Sequence, residues 1–151
     1  MPARLVKSLI FLVALAATPA YALTVEVQAP DELKALLTQH LETARAARSG
    51  AKPDAEEIAR LQRQSELTAR DLLATEGYFS PQVDSVVERS GGDWRVTYRV
   101  DPGARTRVRS VKLAFGGALQ TRADAASLRG RVERSFTLKQ GMPFRQADWE
   151  A

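Results

Sequence analysis

Gln82 to Asp101 reads QVDSVVERSGGDWRVTYRVD, two alternating runs separated by Gly91-Gly92. In the second run Trp94, Val96, Tyr98 and Val100 alternate with Arg95, Thr97, Arg99 and Asp101, the period of a half-buried strand. In the first, Val83, Ser85 and Val87 alternate with Asp84, Val86 and Glu88. The glycine pair suits the positive φ angles of a two-residue type I′ turn. That turn fixes a register. Val87 falls opposite Val96 and Val83 opposite Val100 on the inner face, while Glu88 meets Arg95 and Asp84 meets Arg99 on the outer one. Turn chemistry, apolar alternation and charge all select the same antiparallel hairpin.

Upstream of the hairpin the period changes. Leu23–Gln28 (LTVEVQ) alternates and reads as a short strand ended by Ala29-Pro30. Asp31 is placed to cap a helix whose apolar stripe is Leu33, Leu36, Leu37 and Leu41. Ala44–Lys52 is small and polar, the frayed end of that helix and a loop. Pro53-Asp54 opens a second helix, with Asp54 at the cap and Glu57 three residues on. Ile58, Leu61, Ser65, Ala69 and Leu72 follow helical spacing, with Leu73 beside them. Gly77 suits the left-handed position just past the helix, and Tyr78-Phe79 can fold back as the apolar contact behind it. One strand, two helices and a hairpin predict an α+β domain over 23–102, with both helices packed on one face of a three-stranded sheet.

Beyond Pro102-Gly103 the pattern begins again. Arg107–Phe115 (RVRSVKLAF) reads as a strand with Val111, Leu113 and Phe115 on one face. Ala123–Arg134 reads as a short helix built on Leu128 and Val132. Gly141-Met142-Pro143-Phe144 introduces a helix start over Arg145–Ala151. A strand, a helix and a helix start cannot close a sheet, so 103–151 is expected to be an incomplete second unit.

The first residues carry an export signal. Arg4 and Lys7 precede the apolar run LIFLVALAA, Pro19 breaks it, and Ala20-Tyr21-Ala22 is the small-x-small pattern of a cleavage site. The run is about half the roughly 20 apolar residues a spanning helix needs, so residues 1–22 are expected to be a cleaved signal peptide. Arg4 and Lys7 leave with it, lowering the net charge of +4 by two. A balance this small gives no argument for nucleic acid. With no cysteine in the chain, disulfides, thiolate metal sites and a lipid-bearing cysteine are excluded.

A β-α-α-β-β unit with Leu72-Leu73-Ala74-Thr75-Glu76-Gly77-Tyr78-Phe79-Ser80-Pro81 at the end of its second helix resembles the POTRA domain. The hairpin closing on Val100-Asp101-Pro102-Gly103, then Val111–Gly117 and Gly141–Phe144, extend the likeness over nearly the whole mature chain. It is closest to the TamA-like family of outer-membrane assembly factors, the outer-membrane subunit of the translocation and assembly module. The resemblance implies a periplasmic arm ahead of a C-terminal outer-membrane β-barrel. It also implies protein partners: unfolded outer-membrane client strands and an inner-membrane-anchored, TamB-like protein. The sequence departs from that pattern in having no barrel and only the start of a second unit, as a truncated product or fragment would. Alternatives are the POTRA region of a two-partner secretion transporter, or a stand-alone periplasmic interaction module.

Catalytic chemistry finds no foothold. His40, the single histidine, lies near the apolar stripe of the first helix with no nucleophile set around it and reads as a boundary residue. No metal-ligand spacing or phosphate loop is present. The chain therefore reads as a binding module that is no enzyme and carries no cofactor. Two candidate surfaces stand out. Gln82, Val83, Asp84, Ser85, Val86, Val87 and Glu88 form a strand that, at a sheet edge, can accept an added strand. Arg105, Arg107 and Arg109 alternate at strand spacing, either to meet an acidic partner or as a solvated linker.

Overall fold

The structure, a computed structural model, describes residues 22–150. The expected signal peptide lies outside the described residues except for Ala22. The chain forms β1 (Leu23–Gln28), α1 (Asp31–His40), α2 (Glu42–Arg48), α3 (Ala55–Thr75), β2 (Gln82–Ser90) and β3 (Asp93–Asp101). The strands make one mixed sheet of order β1-β3-β2, with β1 parallel and β2 antiparallel to β3.

The hairpin has the expected register, Val87 opposite Val96 and Glu88 opposite Arg95, around a turn in which Gly91 and Gly92 have φ of 60° and 104°. The inner-face side chains Leu23, Val27, Val83, Val96, Tyr98 and Val100 are buried together with Leu33, Leu37, Leu41, Ile58, Ala69, Leu73 and Tyr78. This one-sided α+β core is the POTRA arrangement expected from the sequence. Each fully buried leucine in it contributes about 1.5–3 kcal/mol. The outer-face charges are neighbours without being ion pairs. Among the described residues, neither Glu88–Arg95 nor Asp84–Arg99 closes to 4.0 Å, and the Arg99 side chain donates instead to Gln28. Exposed pairs gain too little to hold two long side chains in one geometry.

The first helix departs from expectation. It is capped by Pro30 with no side-chain hydrogen bond, so Asp31 sits in the first turn rather than at the cap. It then breaks at Leu41, whose ψ of 136° is extended, and Glu42–Arg48 restarts as α2 where a loop was expected. No proline or glycine marks this break. It is stabilised by side chains from outside α1. The guanidinium of Arg48 donates to the free carbonyls of Thr38 and Gln39, and the Thr43 N–H donates to the Ser65 hydroxyl. Leu41 itself is buried, as are Thr43 and Ala44.

In α3, Asp54 caps as expected, accepting the Glu57 N–H at 2.9 Å, while the Glu57 carboxylate turns to Arg60 rather than completing the box. Leu73, not Leu72, is the buried residue of the last turn. The helix ends in a Schellman motif: Tyr78 N–H donates to Leu73 and Gly77 N–H to Ala74, with Gly77 at φ 90°. Tyr78 folds back into the core as expected, whereas Phe79 remains 56% exposed and packs on Phe144.

After β3 the regular structure thins. The expected Arg107–Phe115 strand is absent: its β pairing is one isolated bridge, Arg107 to Pro143. An extended segment becomes a strand only when a neighbour accepts its hydrogen bonds, and residues 109–115 have no such neighbour among the described residues. Short helices follow: α4 (Ala118–Thr121), a 3-10 turn (Ala123–Ala125), α5 (Ala126–Ser135) and α6 (Gln146–Glu150). The helix expected over Ala123–Arg134 is thus split by its 3-10 start, and Leu128 and Val132 on it are exposed.

Candidate interaction surface

The candidate strand Gln82–Glu88 forms most of β2, which lies at one edge of the sheet. A two-residue turn closes on a hydrogen-bonded Ser90–Asp93 pair, and bonded and unbonded pairs alternate from there. The N–H and C=O groups of Val83, Ser85, Val87 and Arg89 therefore point away from β3. Trp94 corroborates the alternation from the other side, sending its N–H to Ala22 beyond β1. On the outer face, Asp84, Val86 and Glu88 are exposed.

The inner side of this edge is held by a row of α3 that the sequence reading missed. Gln62 donates to the Ser85 hydroxyl at 2.7 Å, Ser85 donates to Glu66 at 2.5 Å, and Arg70 donates to the Val83 carbonyl at 3.0 Å. Glu66 also lies 4.0 Å from Arg70. Gln62, Glu66 and Arg70 recur every four residues, a polar row flanking the buried stripe, and that spacing is the signal that places them together. Deeper in, the hydroxyls of Thr43, Ser65 and Tyr98 bond to one another between α2, α3 and β3. Burial pushes the Tyr98 phenol up, with its bonds to Ser65 and Thr43 pulling partly the other way.

The arginine set does not act as one surface. Arg105 is part-buried, donating to the Glu76 carbonyl at 2.8 Å with its guanidinium over the Tyr78 ring. Arg107 donates to the Gly141 carbonyl at 2.9 Å. Arg109 is exposed. Arg105 thus fastens the following segment to the end of α3, while Arg107 ties that segment to Gly141. Around them, Thr106 N–H donates to Gly77, Phe144 N–H donates to Thr106, and Glu76 accepts Arg145 at 3.0 Å. His40 is exposed at the end of α1. Among the described residues no group of histidine and carboxylate side chains has metal-binding geometry, and no helix is long and apolar enough to cross a membrane.

Residues 23–102 match the family model described as POTRA domain, TamA domain 1. No curated protein matches the chain in sequence. Among solved structures, the crystal structure of Haemophilus influenzae BamA POTRA3-5 is similar over 86% of this chain, at 18% identity and a TM-score of 0.41. The chain spans 47% of that structure's length.

Proposed function

The chain belongs to the family of POTRA domains that form TamA domain 1, and we propose that it is a periplasmic scaffold, not an enzyme, that binds extended protein segments at the free edge of β2. The observation that carries this reading is the open edge itself. Ser85, Val87 and Arg89 present backbone donors and acceptors to solvent beside a strand that is already rigidly paired on its other side. Adding a strand there satisfies several backbone groups at once without any sequence requirement, which suits a protein that handles many unfolded clients. Outer-membrane client strands are the class we infer, with an inner-membrane-anchored TamB-like protein as the standing partner and a C-terminal β-barrel in the full-length form. Export by cleavage after Ala22 and a second, incomplete POTRA unit over 103–151 belong to the same reading.

The test is a proline at the edge. Val87→Pro removes an outward N–H and leaves the ladder to β3 intact, so the fold should persist, as judged by circular dichroism. A capped peptide of alternating threonine and valine should protect β2 amides in the native chain and lose its binding to V87P. Arg89→Pro is the second variant should V87P fail to fold. Equal binding by the native chain and a folded proline variant would refute the edge reading.

A further inference from the structure

We propose that Arg70 sets the boundary of strand addition on β2, capping the Val83 carbonyl so that pairing is confined to Ser85–Arg89. This rests on the edge reading above and adds a residue that decides register. The outward-facing acceptors of β2 belong to Val83, Ser85, Val87 and Arg89, and they are not equivalent. The Val83 oxygen already holds the Arg70 guanidinium at 3.0 Å. An added strand must lie about 4.8 Å from β2, and the guanidinium stands in that space at the Val83 end. The Ser85 hydroxyl is engaged with Gln62 and Glu66, but those bonds use its side chain and leave its outward backbone groups free.

Arg70 is also poised for this role. It reaches β2 from α3, four residues beyond Glu66, and Glu66 braces it at 4.0 Å while itself accepting the Ser85 hydroxyl. Helix and strand are thereby tied at the level of Val83 and Ser85, and the strand edge beyond, toward the Gly91-Gly92 turn, is left open. A client segment is admitted at the turn end of β2 and stopped at the Val83 end. A fixed stop gives a scaffold for unrelated segments one defined register instead of several.

Amide hydrogen exchange of the full chain with the alternating threonine and valine peptide tests this. The peptide is uncharged, so changing Arg70 does not alter its electrostatic attraction. In the native chain the expected added protection falls on Ser85, Val87 and Arg89, with none gained at Val83. Arg70→Met should extend protection to Val83 and tighten binding about two- to tenfold, the net effect of one added backbone hydrogen bond. Arg70→Lys retains a donor within reach and should keep the short footprint. A native footprint that includes Val83, or R70M binding unchanged or weakened, overturns the role of Arg70 and leaves the edge reading standing. No β2 footprint in any of the three proteins, or one on β1 instead, overturns the edge reading and the inference with it.

Discussion

A β-carbon on Gly77 would lie 2.4 Å from the carbonyl oxygen of Phe144. The same glycine closes α3 at φ 90° and lends its carbonyl to Thr106 N–H, so one residue ends the last helix before the hairpin and receives the segment that follows β3. Gly77→Ala should therefore cost more than backbone strain. Gly50, at φ 70° with open space where a β-carbon would go, is the control. We expect Gly50→Ala to cost about 1–2 kcal/mol, the left-handed penalty alone, and Gly77→Ala clearly more, because Phe144 must also move. Chemical denaturation of both variants checks the difference. Equal losses would mean that the Phe144 contact contributes nothing to stability.

Glu76 accepts both Arg105 and Arg145, and its removal should separate fastening from folding. These pairs are partly exposed, so Glu76→Ala should change global stability by no more than about 1 kcal/mol. Amide exchange at Thr106, Val108, Gly141 and Phe144 should nonetheless quicken, since the hydrogen bonds there depend on the segment staying docked. Unchanged exchange at those amides would show that Gly77, Phe144 and the Arg105 bond to the residue-76 carbonyl suffice to hold it.

Tyr98 gives the fold an alkaline limit. Its phenol is fully buried and its pKa is raised above 10.0 mainly by burial. The folded state therefore holds the proton more tightly than the unfolded chain does. The stabilisation is complete below pH 10 and is lost as pH rises from there through the folded value. Tyr98→Phe should remove this extra alkaline sensitivity. At neutral pH it should cost about 1 kcal/mol, because the Thr43 hydroxyl loses the acceptor to which it donates. Stability curves against pH for both proteins, compared between pH 8 and 11, provide the check. Parallel curves would assign alkaline unfolding to other groups.

The parts of the fold that local chemistry dictates were legible in the sequence. Gly91-Gly92 can be a tight turn, alternation on either side can satisfy only one register, and Asp54 and Gly77 bracket α3 by their own side-chain and backbone preferences. The break at Leu41 was not legible, because Ser65 lies outside the window that a helical period examines, and nothing in the spacing of Arg48 marks it as the cap of Thr38 and Gln39. The strand expected over 107–115 failed for a related reason. Alternation states that a segment can be a strand, but only a partner makes it one. At the candidate surface the strand Gln82–Glu88 was legible from its pattern and its place at the edge was not, and neither was Arg70. Its role depends on which carbonyl of β2 faces outward, a fact that appears only once the hairpin register and α3 are set side by side. The arginine set misled in the opposite sense, since Arg105 spends its charge on the end of α3.

The segment beyond Gly117 offers the last prediction. Its apolar side chains are largely in water: Leu128 and Val132 are each 42% exposed and Trp149 is 63% exposed, with Phe136 edge-on against it. Among the described residues there, Ala125 and Leu138 are the buried apolar ones. Ordering a residue costs roughly 1–2 kcal/mol, and so few buried groups cannot offset that cost over α4, α5 and α6. These helices should open locally, independently of the sheet. Amide exchange over 118–135 should thus be close to that of an unfolded peptide, while Val96, Tyr98 and Val100 exchange only on global unfolding. The docked stretch Thr106–Val108, tied to Gly77, Met142 and Phe144, should be intermediate. Protection over 118–135 equal to that of β3 would refute this and would require the exposed leucine, valine and tryptophan side chains to be covered by another molecule. Repeating the measurement across a range of protein concentrations identifies that molecule as a second copy of the chain if protection rises with concentration.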